Sequence, residues 1–221
     1  MKVQIYAHKT PEDAAMSAAA GVDFIGVSTG QRGRLKNEVD FAKCREIFEA
    51  VDGSEAMRVA LTVAWELDEV IETVQAVKPD VIHLSGDITD LPAAKVAKLR
   101  RVIPLVKIMQ AIPVGSPAAI KLALEYQPVC DYFILDTDLT DFVGIGATGA
   151  THDWSISAEL VKRVHIPVIL AGGLRPENVA EAIRTVNPWC VDSFTHTNIP
   201  GTKRKDPALV KAFVKAAKAV P

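Results

Sequence analysis

The chain has 221 residues, of which 49% are hydrophobic, and its formal net charge is −2. This composition can fill a sizeable core, and a net charge so close to zero argues against nucleic acid as a partner. The sequence has no apolar stretch of about eighteen residues and no apolar segment near its start, so we expect neither a membrane span nor a secretion signal. Cys44, Cys130 and Cys190 lie far apart, which is typical of free thiols in the reducing cytoplasm.

Short apolar runs alternate with amphipathic helical stretches along the chain. The predicted strands are 3–8, 24–28, 57–63, 81–85, 103–108, 132–136, 168–171 and 190–194. The predicted helices are 11–20, 38–51, 67–77, 93–101, 117–126, 155–164, 176–186 and 206–219. The start of the first helix is well marked, because Thr10 precedes Pro11 and two acidic residues.

Eight strands, each followed by a helix, predict one (β/α)8 TIM barrel that forms a single domain over residues 1–221. The strands are short and continuously apolar, as expected when both faces of a parallel sheet are covered. The alternative is an open doubly wound sheet, which would more often place its phosphate loop after the first strand. Residues 7–10 occupy that position and contain no glycine, so the sequence favours the barrel.

Two glycine-rich stretches in the second half of the chain indicate a phosphate-binding layout. They are Val-Gly-Ile-Gly-Ala-Thr-Gly-Ala-Thr-His-Asp-Trp at 143–154 and Leu-Ala-Gly-Gly-Leu-Arg-Pro-Glu-Asn-Val at 170–179. Gly172 and Gly173 let the backbone approach an anion, and the helix that follows directs unpaired N–H groups and a positive dipole end toward it. The alternative is that the glycine pair only serves a tight strand-to-helix turn.

Further candidates for substrate contact flank this layout. Three polar residues after the last predicted strand could supply the remaining phosphate donors: Thr195, His196 and Thr197. In the first glycine-rich stretch, Gly149 is expected to contact the substrate as part of a mobile lid that includes Gly144 and Gly146. The alternative there is an ordinary loose loop.

The chain resembles the phosphoribosylanthranilate isomerase family of tryptophan biosynthesis. The motifs that carry the resemblance are Phe-Ile-Leu-Asp-Thr at 133–137, Gly-Ala-Thr-Gly at 146–149 with Asp-Trp at 153–154, and the stretch 170–179. The likeness spans the whole chain and is strongest from about residue 130 onward.

The resemblance implies a (β/α)8 barrel that converts an aminoaldose phosphate into an aminoketose phosphate by an Amadori rearrangement, without a cofactor. It also implies that Asp136 is the general acid. Tyr6 stands where the family has its general-base cysteine, and residues 83–86 and 194–198 differ from the corresponding family motifs.

The substituted residues suggest how the missing base is replaced. His8, His83 and His196 lie near the carboxyl ends of predicted strands, which converge on one mouth in a barrel. Tyr6 shares a strand face with His8. In one hypothesis His8 or His83 is the base, because a neutral imidazole accepts protons near physiological pH, and Asp136 transfers the second proton. In another, the three histidines and Asp136 bind a divalent metal that polarises the substrate carbonyl. The alternative to both is that the histidines are packing residues.

Three basic residues are further candidates for substrate binding. Lys107 lies on the predicted fifth strand and is expected to face the barrel interior, where it could hold an enediolate or an anionic ring. The stretch Gly-Gln-Arg-Gly-Arg at 30–34 follows the second strand, where the family carries an arginine for the substrate's carboxylate. Arg34 or Arg32 could take that role through a bidentate fork.

Together these observations predict an aldose–ketose isomerase that acts on a phosphorylated sugar or sugar–amine. We expect a monomer or homodimer that needs no cofactor, with a divalent metal as the alternative. Two other functions are compatible with the sequence. One is a metal-dependent phosphosugar epimerase or aldolase/lyase, and the other is a barrel that binds a phosphorylated metabolite without catalysis.

Overall fold

A computed structural model describes residues 1–35, 37–136 and 153–220 of the protein. Within these residues, eight parallel strands pair in chain order, and the last strand also pairs with the first. This pairing closes the sheet into a barrel, and helices alternate with the strands around it. The (β/α)8 TIM barrel predicted from the sequence is confirmed.

The strands are β1 (Lys2–Ile5), β2 (Phe24–Ser28), β3 (Met57–Thr62), β4 (Val81–Leu84), β5 (Lys107–Pro113), β6 (Tyr132–Asp136), β7 (Val168–Leu170) and β8 (Cys190–Ser193). The helices are α1 (Pro11–Ala19), α2 (Phe41–Glu49), α3 (Leu67–Val77), α4 (Ala93–Val102), α5 (Ala118–Tyr126), α6 (Trp154–Arg163), α7 (Val179–Val186) and α8 (Pro207–Lys218). A short 3₁₀ helix, Thr195–Thr197, lies between β8 and α8. Of the helices described here, none combines the length and the apolar character that crossing a membrane requires.

Side-chain caps fix where the first and last helices begin. Thr10 Oγ1 accepts the N–H of Asp13 at 3.2 Å. Asp206 Oδ1 accepts the N–H groups of Ala208 and Leu209 at 2.8 and 3.2 Å. Each cap of this kind stabilises a helix by about 1 kcal/mol. These local signals explain why the predicted starts of both helices fall within one residue of the observed starts.

Side-chain alternation along the strands separates two apolar cores. One core fills the inside of the ring, and its largest strand contributions are Phe24, Val59, Val81, Met109, Ile134 and Ile169. The other lies between the strands and the surrounding helices, and includes Ile25, Ile47, Ile82, Leu99, Ile108, Phe133 and Phe213. Burial of each such side chain contributes about 1.5–3 kcal/mol, so the strands are fixed from both faces.

The prediction of the fifth strand at 103–108 is wrong in its position along the chain. Helix α4 continues to Val102, and Leu105 lies in the following turn with 94% of its surface exposed. The strand itself runs from Lys107 to Pro113. Pro104 cannot donate a ladder hydrogen bond, so the apolar run that it interrupts forms a turn, and the pairing begins at Lys107.

Candidate active site

Two carboxyl groups lie toward the mouth of the barrel. Asp136 ends β6 and, by strand alternation, shares the interior face with Ile134. Asp192 of β8 is buried, and Gln4 Nε2 donates to its Oδ1 at 3.2 Å. Burial, together with the charge of Asp136, raises the pKa of Asp192 to about 8. Burial thus disfavours the charged form of Asp192, and Asp136 is the carboxyl of the two that is more open to solvent.

Tyr6 and His83 form a hydrogen-bonded pair inside the ring. Tyr6 Oη lies 2.8 Å from His83 Nδ1, and the two ring centroids are 5.6 Å apart. Burial lowers the pKa of His83 to about 3, and burial together with the charge of Asp192 raises the pKa of Tyr6 well above its usual value. Both side chains are therefore neutral at physiological pH. Among the described residues, His83 Nε2 has no hydrogen-bond partner.

Gly26 of β2 makes the space that the Tyr6 ring occupies. A Cβ at Gly26 would lie 2.3 Å from Cδ1 and 2.4 Å from Cε1 of Tyr6. No side-chain carbon can approach an aromatic ring so closely, so the tyrosine requires glycine at this position on the neighbouring strand. The phenol ring of Tyr6 therefore packs directly against β2, and its hydroxyl contacts His83.

The structure contradicts the prediction that His8 is a base at the barrel mouth. Strand β1 ends at Ile5, so strand alternation does not extend to His8. His8 Nδ1 lies 3.1 Å from the carbonyl oxygen of Gly26, and Nε2 lies 2.9 Å from Oγ of Ser17 on α1. Because the carbonyl only accepts, Nδ1 donates to it and Nε2 accepts from Ser17. Burial, with Lys205 nearby, lowers the pKa of His8 to about 3, and both nitrogens are used structurally.

The predicted metal set is not supported by this arrangement. Because His8 bonds to α1, it does not join His83 inside the ring. In the parts of the chain that the structure describes, no group of three or more His, Cys, Asp or Glu side chains could hold a metal ion.

The glycine pair after β7 adopts the backbone geometry that a close approach to an anion requires. Gly172 and Gly173 have φ values of +89° and +63°, a region that favours glycine, and both are partly exposed. Asn178 fixes the turn, since its Oδ1 accepts the N–H of Arg175 at 2.8 Å and its Nδ2 donates to the Gly173 carbonyl at 3.2 Å. Helix α7 consequently begins at Val179, three residues later than predicted.

The residues predicted to complete the phosphate site differ in accessibility. Thr195 is exposed and His196 is partly exposed on the 3₁₀ helix. Thr197 is fully buried, and its hydroxyl donates to the Phe194 carbonyl at 3.0 Å. The prediction that Thr197 donates to a phosphate is therefore wrong, because its proton is used within the turn. Gly149, with the predicted lid residues Gly144 and Gly146, lies outside the described residues.

Lys205 is a buried residue that the sequence analysis missed. Its ammonium group donates to the carbonyl of Tyr6, to the carbonyl of Phe194 at 3.2 Å and to Oδ1 of Asn198 at 2.7 Å. Burial lowers its pKa to about 7, while the charges of Asp192 and Asp13 oppose that fall. The basic run 203–205 looks like a solvated loop in the sequence, and only long-range contacts distinguish Lys205 within it.

Two of the predicted basic contacts are engaged elsewhere. Arg34 directs its guanidinium fork at Glu69 of α3, at 2.7 and 3.1 Å, and stacks 3.4 Å from the ring centroid of Trp65. Arg32 also pairs with Glu69, at 3.0 Å. The prediction for Lys107 is wrong, because the register of β5 puts this residue at the amino end of the strand, opposite Val81 and 3.3 Å from Asp131.

Comparison with known proteins gives a consistent family. A family model described as N-(5′-phosphoribosyl)anthranilate (PRA) isomerase matches residues 3–216. The chain is 37% identical over 194 residues to N-(5′-phosphoribosyl)anthranilate isomerase 2 of Methanosarcina mazei, which covers 87% of this chain and 84% of that protein.

Solved structures extend the similarity to the whole fold. Monomers generated from the dimeric phosphoribosylanthranilate isomerase of Thermotoga maritima match with a TM-score of 0.80 and 26% identity, covering 99% of this chain and 98% of that one. A phosphoribosylanthranilate isomerase in complex with reduced 1-(o-carboxyphenylamino)-1-deoxyribulose 5-phosphate matches with a TM-score of 0.80 and 25% identity, again covering 99% and 98% of the two chains.

Proposed function

Because the chain belongs to the N-(5′-phosphoribosyl)anthranilate isomerase family, we propose that it isomerises N-(5′-phosphoribosyl)anthranilate to 1-(o-carboxyphenylamino)-1-deoxyribulose 5-phosphate. In this Amadori rearrangement the sugar ring opens to a C1 iminium, C2 loses a proton and C1 gains one. The hydrogen lost at C2 balances the hydrogen gained at C1, so the reaction requires no external oxidant or reductant. Two proton-transfer groups and a site for the phosphate are sufficient.

The observation that carries the proposal is that the barrel interior holds both a carboxyl group and a histidine with an unpartnered ring nitrogen. Asp136 ends β6, and His83 lies one residue before the end of β4. Among the described residues, Nε2 of His83 has no hydrogen-bond partner, and a polar atom buried in this way is costly unless a ligand satisfies it. A substrate seated at the mouth would supply that partner.

The roles follow from the chemistry of each group. We assign Asp136, in its protonated form, to protonate the ring oxygen, which opens the sugar. After C2 has lost its proton to His83, the Asp136 carboxylate takes the proton of the C2 hydroxyl while C1 gains a proton from water, and His83 returns its proton to water. If His83 Nδ1–H donates to Tyr6 Oη, the lone pair of Nε2 is available to take the C2 proton. Burial keeps His83 neutral, since it lowers the pKa to about 3, and the positive charge of the iminium acidifies C2 for this weak base. Tyr6, at the position of the family cysteine, orients the imidazole in this proposal.

The phosphate end of the substrate is assigned to the loops after β7 and β8. The N–H groups of Gly172 and Gly173, with Thr195 and His196, are the donors in this proposal. The barrel supports the assignment, because the loops after the seventh and eighth strands are a common phosphate site in this fold. The three cysteines are free and buried, which fits the reducing cytoplasm where such a metabolite is found.

Turnover of N-(5′-phosphoribosyl)anthranilate tests the proposal. The Asp136→Asn variant keeps the size of the side chain and removes the transferable proton, so kcat should fall by about three orders of magnitude. Asp87→Asn is the matched control, because Asp87 is an exposed carboxylate in the loop after β4 whose contacts are to Thr89, at 2.9 and 2.7 Å. Equal rates in wild type and Asp136→Asn would contradict the assignment.

A barrel that only binds its ligand gives a different result in the same experiment. Such a protein would bind reduced 1-(o-carboxyphenylamino)-1-deoxyribulose 5-phosphate, the ligand of the similar solved structure, with no turnover of the aminoaldose phosphate. In that case the Asp136→Asn variant would still bind the same reduced ligand. Turnover by the wild type rules this alternative out.

A further inference from the structure

The ammonium group of Lys205 lies below the surface at the junction of three chain segments. Lys205 is 2% exposed. Its three acceptors are the carbonyl of Tyr6 after β1, the carbonyl of Phe194 after β8 and the side chain of Asn198 beyond the 3₁₀ helix. An ammonium has three N–H donors and no acceptor. All three donors can therefore be used inside the protein, which leaves none for a substrate.

The main chain around Lys205 is fixed separately by Asp13 of α1. Asp13 Oδ2 accepts the N–H of Lys205 at 3.1 Å, and the Asp13 carboxylate accepts two hydrogen bonds from Arg204 at 2.8 and 2.9 Å. The N–H of Ile199 donates to the Arg204 carbonyl at 2.9 Å, and Asn198 forms a bridge with Lys205. These contacts hold the main chain of Lys205 in addition to the three hydrogen bonds that its ammonium makes.

The acceptors of Lys205 belong to the two functional ends of the site. Tyr6 carries the hydroxyl that contacts His83 at 2.8 Å. Phe194 and Asn198 flank the 3₁₀ helix Thr195–Thr197 on either side. A single buried cation therefore joins the residue that orients the imidazole to the turn that we assign to the phosphate.

We propose that Lys205 is a positioning residue that fixes the phosphate-binding turn after β8 relative to Tyr6 at the end of β1. This inference rests on the proposed function, because it takes the 195–196 turn as a phosphate site. The positive charge of Lys205, which contacts Phe194 and Asn198 on either side of the turn, also favours an anion bound at the turn. The charged or titratable groups that act on Lys205 are Asp192 of β8, Asp13 of α1 and Lys203, and Lys205 in turn acts on His8.

Replacement of the ammonium by a neutral chain of similar length tests this role. In Lys205→Met the turn loses the hydrogen bonds from the ammonium to Phe194 and Asn198, so the Kd for inorganic phosphate should rise by about tenfold. The KM for the phosphorylated substrate should rise with it. Lys203→Met is the matched control, because it removes the same charge from an exposed neighbour and should leave the phosphate Kd at the wild-type value.

The pair of readouts separates positioning from stability. A purely structural lysine would lower the folded fraction, and hence apparent kcat, while the surviving molecules kept the wild-type Kd for phosphate and KM. Asn198→Leu removes one acceptor and keeps the lysine, so it provides a second measurement if Lys205→Met does not fold. An unchanged phosphate Kd in the folded variants would overturn the inference. Titration with inorganic phosphate requires no turnover, so failure of the proposed reaction would be seen separately, in the wild-type assay.

Discussion

His8 and His83 are two buried histidines near the carboxyl ends of strands, and burial lowers the pKa of each to about 3. They differ in their partners. His8 lies on the α1 side of the barrel, where Gly26 and Ser17 engage both of its nitrogens. His83 lies inside the ring, where Tyr6 engages Nδ1 and the described residues offer no partner to Nε2. Burial and pKa are alike for the two, so the unused hydrogen-bonding capacity is what marks a functional candidate.

The comparison also explains why the sequence could not choose between the two residues. Both histidines lie near the carboxyl end of a predicted strand, and both strands were predicted to place them at the mouth. The deciding feature is that β1 ends at Ile5, three residues before His8, whereas β4 runs to Leu84, past His83. A difference of a few residues in strand length moves a side chain from the interior to the helix layer.

Of the effects that bear on the two histidines, the largest is expected on catalysis in His83→Gln. Glutamine keeps a polar group of similar reach but is not a base, so kcat should fall by about 100-fold. His8→Gln is the matched control, and its kcat should stay close to the wild-type value at a temperature where both variants are folded. Steady-state kinetics on N-(5′-phosphoribosyl)anthranilate measure both. A loss in His8→Gln as large as that in His83→Gln would remove the distinction between the two residues.

The next effect concerns the packing that holds Tyr6 against His83. Gly26→Ala forces a methyl group to within 2.3 Å of the Tyr6 ring, so the free energy of unfolding should fall by about 1–3 kcal/mol. The double variant Gly26→Ala/Tyr6→Cys should recover most of this loss relative to Tyr6→Cys alone, because the smaller side chain leaves room for the methyl. Chemical denaturation measures the three variants. The account of this packing fails if the alanine costs the same with either residue at position 6.

The pH dependence of the free energy of unfolding tests whether His8 is held neutral in the folded protein. The pKa of His8 is about 3 in the folded protein against 6.5 for the ordinary side chain, so the unfolded chain binds more protons between these values. Stability should therefore fall as the pH drops below 6.5, and His8 should contribute about 1.4 kcal/mol per pH unit to the slope. In His8→Gln the slope should be smaller by that amount. Parallel curves for wild type and variant would show that His8 is not held neutral.

The smallest effect is expected at Lys107, which lies at the opposite end of the barrel from the site. It pairs with Asp131 at 3.3 Å and is half exposed, so Lys107→Met should change the free energy of unfolding by less than about 1 kcal/mol. The KM and kcat of the variant should equal those of the wild type. A raised KM would mean that the corrected register of β5 is mistaken.

Local patterns predicted most of the fold, and long-range contacts account for what they missed. Cap residues such as Thr10 and Asp206 act within three residues, so the sequence predicts their helices well. The register of β5 depends on which residues pair with β4, and Pro104 marks the turn before the strand without fixing where the pairing begins. The position of Asp136 at the barrel mouth could be predicted, because this residue ends a strand within a motif that the family shares.

The parts of the site that the sequence could not predict depend on contacts between distant residues. Lys205 meets Tyr6 across almost the whole chain, and nothing in the run 203–205 separates it from its exposed neighbours. The contact of Tyr6 with His83 likewise depends on the small size of Gly26 on a third strand. Thr195 is exposed, whereas the same short turn buries Thr197 and directs its hydroxyl to the Phe194 carbonyl.

The central claim is that His83, and not His8, removes the C2 proton of the substrate. The most direct test follows the release of deuterium from C2 of N-(5′-phosphoribosyl)anthranilate. The account predicts that wild type and His8→Gln release this deuterium to water at similar rates. In His83→Gln the release should be slower by about 100-fold. Release at the wild-type rate in His83→Gln would contradict the account.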